Sequence, residues 1–206
     1  MKVLLINGSP HERGCTYTAL SEVAKQLEKH GVQTEFISMG KTPVAGCIAC
    51  GKCAETGRCI FDDQVNMVLD KLDEYDGILV GSPVYYAGPS GQICAFLDRL
   101  FYSSKGRMAG KVAAAVVSCR RGGASAAYDR LNKYFTISNM QVASSQYWNQ
   151  VHGNTPEEVK QDEEGLQTMR TLADNMAWMI QNTKTAQEHG IKRPEYEKKI
   201  GTNFIR

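Results

Sequence analysis

The 206-residue chain has no apolar run near the roughly 20 residues that a membrane-spanning helix requires. Its opening, MKVLLINGSP, is too short an apolar stretch for a secretory leader and runs into a turn. A charge excess of one sign is missing too. The 24 Lys and Arg residues face 22 Asp and Glu, a net charge of +2. A dedicated nucleic-acid binder shows a strong basic stripe instead. We therefore expect a cytoplasmic protein with no membrane segment and no nucleic-acid partner. Internal repeats and low-complexity segments are also lacking. Cysteine, by contrast, is plentiful. The seven cysteines of a chain without a leader are more readily ligands or catalytic groups than disulfide partners.

Short apolar runs alternate with helical spacings along the chain. Lys2–Asn7, Gln33–Met39, Gly77–Val84, Lys111–Cys119 and Gln141–Trp148 read as strands. Continuous runs such as GILVGSPV suit strands buried on both faces. Between them, Leu20/Val23/Ala24/Leu27, Val65/Val68/Leu69/Leu72, Ile93/Phe96/Leu97/Leu100 and Ala127/Leu131/Tyr134/Phe135 recur at helical spacing. Thr155, Pro156 and Glu158 look like a helix start, followed by Val159, Leu166, Met169, Ala173, Met176 and Ile180 on one face. Five strands alternating with five helices predict an α/β fold, a doubly wound parallel sheet with helices on both faces. The flavodoxin-like order 2-1-3-4-5 suits five strands, with ligands outside their carboxyl ends. We expect one domain over 1–182, with a cysteine-rich loop at 40–62 and a polar tail at 183–206.

Three loops therefore matter. NGSPHERGCTYT, after the first strand, enters a helix, whose N-terminus suits a phosphate. Gly8 and Gly14 are one residue too far apart for a mononucleotide P-loop, and Cys15 stands where lysine is required. The dinucleotide G-x-G-x-x-G and the Cys-x5-Arg signature of cysteine phosphatases are absent. What remains is a hydroxyl-lined loop for a terminal phosphate, or an ordinary strand–helix turn. After the third strand, GSPVYYAGPSG sets two tyrosines among prolines, suited to a planar aromatic ligand or to a subunit interface. After the fourth, SCRRGGAS offers a close-approach turn and two arginines.

With GSPHERGCT, SPVYYAGPSG and the cysteine loop, the chain resembles the NADPH-dependent FMN reductase family, within it the iron–sulfur flavoproteins. The resemblance covers residues 1 to about 181. It implies that Ser9, Cys15, Thr16, Tyr17 and Thr18 hold the FMN phosphate. It implies further that Pro83, Val84, Tyr85 and Tyr86 border the isoalloxazine, with Ser118, Arg121 and Gly123 contributing from the third loop. Cys15 departs from the pattern, since relatives often carry Asn there.

Cys47, Cys50, Cys53 and Cys59 form C-x2-C-x2-C-x5-C. Thiolates at two-residue gaps suit a compact [4Fe–4S] cluster, and glycines at 46, 51 and 57 ease the wrapping. Zinc also takes four thiolates but usually uses two separated C-x2-C knuckles. A loop without metal is the third alternative.

The reading that follows is an FMN-dependent oxidoreductase. NAD(P)H reduces bound FMN, and electrons pass on, through a cluster if present, to a quinone, metal ion, nitro compound or protein. The alternatives are an electron carrier fed by a protein partner and a zinc-stapled nucleotide-binding module. No residue is required as a general acid or base. His11 reads as a surface residue of the phosphate loop, and His152 as the better rim candidate. A homodimer or homotetramer is expected, because Ile93, Cys94, Phe96, Leu97, Leu100, Phe101 and Tyr102 cover more than one helix face, with Met108 following.

Overall fold

A computed structural model describes residues 1–198 and 200–202. Its centre is a parallel sheet of β1 (Lys2–Asn7), β2 (Gln33–Ser38), β3 (Gly77–Tyr85) and β5 (Val112–Cys119), in the order β2-β1-β3-β5. Two short strands, β6 (Gln141–Val142) and β7 (Gln150–His152), extend the sheet beyond β5. β4 (Gly88–Pro89) folds back antiparallel on the end of β3.

Side chains alternate across the pleat, so each strand feeds two cores. Leu4, Ile6, Ile78, Val80, Ala115 and Val117 pack under one helical layer. That layer holds α3 (Gln64–Lys71), α4 (Gly91–Ser103) and α5 (Ala124–Ile137). Val3, Leu5, Leu79, Ala114 and Val116 pack under α1 (Cys15–Lys29) and α7 (Glu163–Glu188) on the other face. Burial on both faces is why these strands read as unbroken apolar runs. The 2-1-3-4-5 order is present in a flavodoxin-like arrangement.

The fifth strand departs from the expectation of one continuous strand over Gln141–Trp148. Ser145 Oγ takes the Tyr147 N–H at 3.3 Å and bonds the Tyr147 carbonyl at 2.6 Å and Asn149 Oδ1 at 2.7 Å. Such local side-chain bonds compete with ladder formation and divide the strand into β6 and β7. The last helix is likewise in two pieces, α6 (Pro156–Val159) and α7. Asp162 caps α7 by accepting the Gly165 N–H at 2.9 Å, and it also takes the His152 N–H at 2.6 Å. That second bond ties the break to the end of β7. α7 runs on through Glu188, past residue 182, because Met176, Ala177 and Ile180 keep its inner face buried almost to that point.

The surplus apolar side chains of α4 are mostly absorbed within the chain. Phe101 packs against Tyr134 and Phe135 of α5, with ring centroids 5.4 and 6.1 Å apart. Met108 is fully buried, Cys94 is half-buried, and only Tyr102 of that set is exposed.

Candidate functional site

The loops after β1, β3 and β5 meet at the carboxyl edge of the sheet. Gly8 N–H donates to the Gly81 carbonyl at 2.8 Å, and Ser90 Oγ donates to the Gly8 carbonyl at 2.7 Å. A Cβ on Gly8 would lie 2.7 Å from Ile93 Cβ and 2.8 Å from the Gly81 oxygen, so only glycine permits this approach. Ser90 also caps α4 by accepting the Ile93 N–H. One serine thus fastens the first loop to the second.

Asn7, fully buried at the end of β1, shapes the first loop. Its Oδ1 accepts the Ser9 N–H at 3.1 Å, and its Nδ2 donates to the Glu12 carbonyl at 3.2 Å. Ser9 Oγ accepts the His11 N–H at 3.1 Å, which leaves its own proton to donate. Thr16 Oγ1 and Ser118 Oγ are 2.8 Å apart and both buried, joining the first loop to the third. One of the pair must donate to the other, so together they retain one further hydroxyl proton. α1 starts after Gly14 with no side-chain cap and no acidic residue in its first turn. Its leading N–H groups and the positive end of its dipole suit an anion. A cavity of about 860 Å³ opens there, lined by Pro10, His11, Gly14, Cys15, Lys41 and Thr155 among others. Burial pushes the Cys15 thiol pKa up, so the neutral thiol does not oppose an anion.

Tyr17 and Thr18 line a different cavity, of about 630 Å³, with Phe36, Lys25 and Lys160. The Tyr17 ring packs on Phe36 at 5.4 Å, and Thr18 Oγ1 donates to the Gly14 carbonyl at 3.1 Å. Of the phosphate residues expected from sequence, Cys15 lines the cavity at the start of α1, Ser9 bonds to His11 in the same loop, and Thr16 bonds to Ser118 of the third loop. Tyr17 has only its backbone N–H to offer at that end of α1, and the Thr18 N–H already donates to the Gly14 carbonyl at 3.0 Å.

The second loop is a two-residue hairpin closed by the Val84–Pro89 and Tyr85–Gly88 pairs. Tyr86 and Ala87 have φ of +50° and +59°. Positive φ at both centres is the type I′ geometry, normally filled by Asn or Gly. For these residues it costs about 1–3 kcal/mol each. The strained turn leaves Tyr86 wholly exposed and Tyr85 47% exposed, with Pro83 and Val84 half-buried behind them. Gly123, at φ +86°, lies against this hairpin: a Cβ there would meet Ala87 Cα at 2.8 Å and Val84 Cγ1 at 3.2 Å. Arg121 is exposed beside it. His152 is at the rim, its Nδ1 3.4 Å from Cys119 Sγ, whereas His11 is exposed.

In the cysteine loop a short helix, α2 (Lys52–Thr56), which sequence reading did not find, is flanked by Gly51 and Gly57 in left-handed conformation. Cys47 and Cys50 are exposed, Cys53 buried and Cys59 half-buried, and all four line one cavity. Among the described residues, no group of three or more His, Cys, Asp or Glu side chains is set to hold a metal ion. In its chemistry the donor set, four thiols lining one cavity, matches the ligands an iron–sulfur group takes.

Sequence reading missed Asn7, Ser90, Asp63, Asn66 and Arg99. Asn66, buried on the inner face of α3, brackets the Cys59 backbone, accepting its N–H and donating to its carbonyl, both at 2.9 Å. The available signal was a polar residue within each apolar helical stripe, Asn66 beside Val65 and Arg99 beside Leu100.

Residues 1–155 match the family described as NADPH-dependent FMN reductase. An iron-sulfur flavoprotein of Methanocaldococcus jannaschii is 33% identical over 194 residues, covering 89% of this chain and all of that one. An iron-sulfur flavoprotein of Archaeoglobus fulgidus is 30% identical over 190 residues, covering 85% and 95%. A solved flavodoxin from the domain Archaea superposes with a TM-score of 0.60 at 20% identity, covering 88% and 99%.

Proposed function

The chain belongs to the NADPH-dependent FMN reductase family, among its iron–sulfur flavoproteins, and on that premise we propose that it is an NAD(P)H-dependent FMN oxidoreductase of the cytoplasm. The observation that carries this reading is the convergence of three loops at one sheet edge. There Ser9, the Thr16–Ser118 pair and an uncapped helix start lie next to a strained aromatic hairpin.

Each part of the edge has a task in this reading. Ser9 donates its hydroxyl proton to the FMN phosphate, and the Thr16–Ser118 pair donates the one proton it retains. Backbone N–H groups of Cys15 and Tyr17 add the field of the α1 N-terminus, while the Thr18 N–H closes the first helical bond on the Gly14 carbonyl. Pro83, Val84, Tyr85 and Tyr86 supply ring faces and backbone edges for the isoalloxazine, with Gly123 and Arg121 closing the third side. FMN, when bound, supplies hydride acceptance from a reduced nicotinamide and release of electrons to an acceptor. Cys47, Cys50, Cys53 and Cys59 would hold a [4Fe–4S] cluster, which would supply one-electron transfer beside the flavin.

The test is an anaerobic titration of the purified yellow protein with NADPH and with NADH. Stoichiometric bleaching of the flavin band by either is expected. A flavin that dithionite reduces but both nicotinamides leave oxidised contradicts the enzyme and indicates a carrier fed by a protein.

We also propose a homodimer or homotetramer, with the flavin near the junction. Tyr102, Ile48 and Ile60 are 66, 60 and 49% exposed and all line the cysteine cavity, which marks the surface for a partner copy. Sedimentation at micromolar concentration should show two or four chains, with Tyr102→Asp shifted towards one. A single-chain species for the unaltered protein would refute assembly.

A further inference from the structure

Arg99 is 1% exposed, on the inner face of α4 between Phe96 and Leu100. A guanidinium removed from water must have its charge and its donors satisfied. Asp63 takes two bonds in a fork, Nη1 to Oδ2 at 2.6 Å and Nη2 to Oδ1 at 2.9 Å. The other Nη bonds reach across both flanks of the cysteine loop, to the Ala45 and Phe61 carbonyls, each at 3.3 Å. The Phe61 ring lies 4.8 Å from the guanidinium carbon. That leaves one donor, Nε–H, and it points at Cys59 Sγ at 3.2 Å. All five N–H groups are thereby engaged, which fixes the orientation of the plane.

Charge balance alone needs only Asp63. The Nε–H bond to sulfur is additional, and it is aimed at a residue whose backbone Asn66 already holds on both sides. Asp63 is itself anchored, since its Oδ1 also accepts the Val65 N–H at 3.0 Å as the cap of α3. Among the described residues, Cys59 is the one of the four loop cysteines whose sulfur receives a side-chain hydrogen bond.

We infer that Arg99 is a positioning residue for the iron–sulfur group, holding the Cys59 sulfur as its fourth ligand through the Nε–H bond and favouring the group's reduced state. The inference rests on the cluster reading proposed above. A hydrogen bond donated to a ligating sulfur draws electron density from it, and such contacts raise the reduction potential of iron–sulfur groups. Lysine would keep a positive charge in this place but lose the fork and the fixed Nε–H.

The experiment compares unaltered protein, Arg99→Lys and the double variant Arg99→Met/Asp63→Asn, all reconstituted anaerobically with iron and sulfide. The double variant removes both charges, so no carboxylate is left without its partner beside the loop if Arg99→Lys fails to fold. Midpoint potential and the rate of iron release to a chelator are read, with FMN binding as the check on folding. Expected are a lower potential in both variants and release about tenfold faster, equivalent to one charge-assisted hydrogen bond. Variants that bind FMN but retain no iron also bear the inference out. Potentials and release rates equal to those of the unaltered protein overturn it and leave Arg99 as a clamp on the loop alone. Unaltered protein that takes up no iron overturns the cluster reading and this inference with it, a result distinguishable from the previous one.

Discussion

Replacing Ser9 and Thr16 together by alanine is expected to weaken FMN binding by about 10²–10⁴-fold. Each hydroxyl is assigned a hydrogen bond to a charged phosphate, worth about 1.5–3 kcal/mol. Ser9 Oγ already accepts from His11 N–H and so has only its proton to give outward. Thr16 shares its hydroxyl with Ser118 at 2.8 Å, so its loss also frees Ser118 to turn towards the ligand. That rearrangement sets the lower end of the range, and adding Ser118→Ala to the Thr16→Ala background should weaken binding further. Both residues are buried but small, and neither substitution opens a large void. Thermal melting of the FMN-free variants should therefore stay close to that of the parent. Fluorescence titration reads the affinity, and an unchanged value would remove the phosphate from this loop.

Cys50→Ser is expected to abolish iron binding while the yellow flavin stays. Anaerobically purified protein should carry about four irons per chain, as a [4Fe–4S] group requires. Cys50 is exposed, so exchanging its sulfur for oxygen removes a ligand without creating a cavity in the core. Cys94 provides the control. It sits half-buried on α4, its thiol pKa pushed up by burial, and it does not line the cysteine cavity. Cys94→Ser should keep all of its iron. Stoichiometric zinc in the parent, or no metal under strict anaerobiosis, would contradict the assignment.

The parts of the fold that were legible in sequence are those in which local pattern and tertiary role coincide. β1, β3 and β5 are buried on both faces, and LLI, GILV and AAAVV are apolar without a break for that reason. The fifth strand misled because Gln141–Trp148 has strand-like residues, yet Ser145 and Asn149 bond to their own neighbourhood and turn the chain out of the ladder. The division of α6 from α7 depends on Asp162 meeting His152 across ten residues, which helical periodicity cannot register. Phe101 looked surplus to one helix face because the α5 rings that cover it lie over thirty residues further on.

The candidate site shows the same division. The role expected of Ser118 came only from the family resemblance, but that Ser9, Thr16 and Ser118 stand at or just after the carboxyl ends of strands was legible, because strand ends in an alternating fold can be placed from pattern. Their mutual contacts were not, nor was the direction of Tyr17, which depends on where Phe36 of β2 comes to lie. Arg99 and Asp63 were not singled out, one lying inside an apolar helix and one before a short one. Their 2.6 Å pairing appears only when α4 is laid against the cysteine loop.

The central claim is that this sheet edge binds a flavin through its phosphate. Parallel fluorescence titrations of flavin-free protein with FMN and with riboflavin test it most directly, since the two share the ring and differ in the phosphate. The account predicts FMN binding at least about 10²-fold tighter than riboflavin, the equivalent of losing two charge-assisted hydrogen bonds. Equal affinities for the two, or binding of neither, would contradict it.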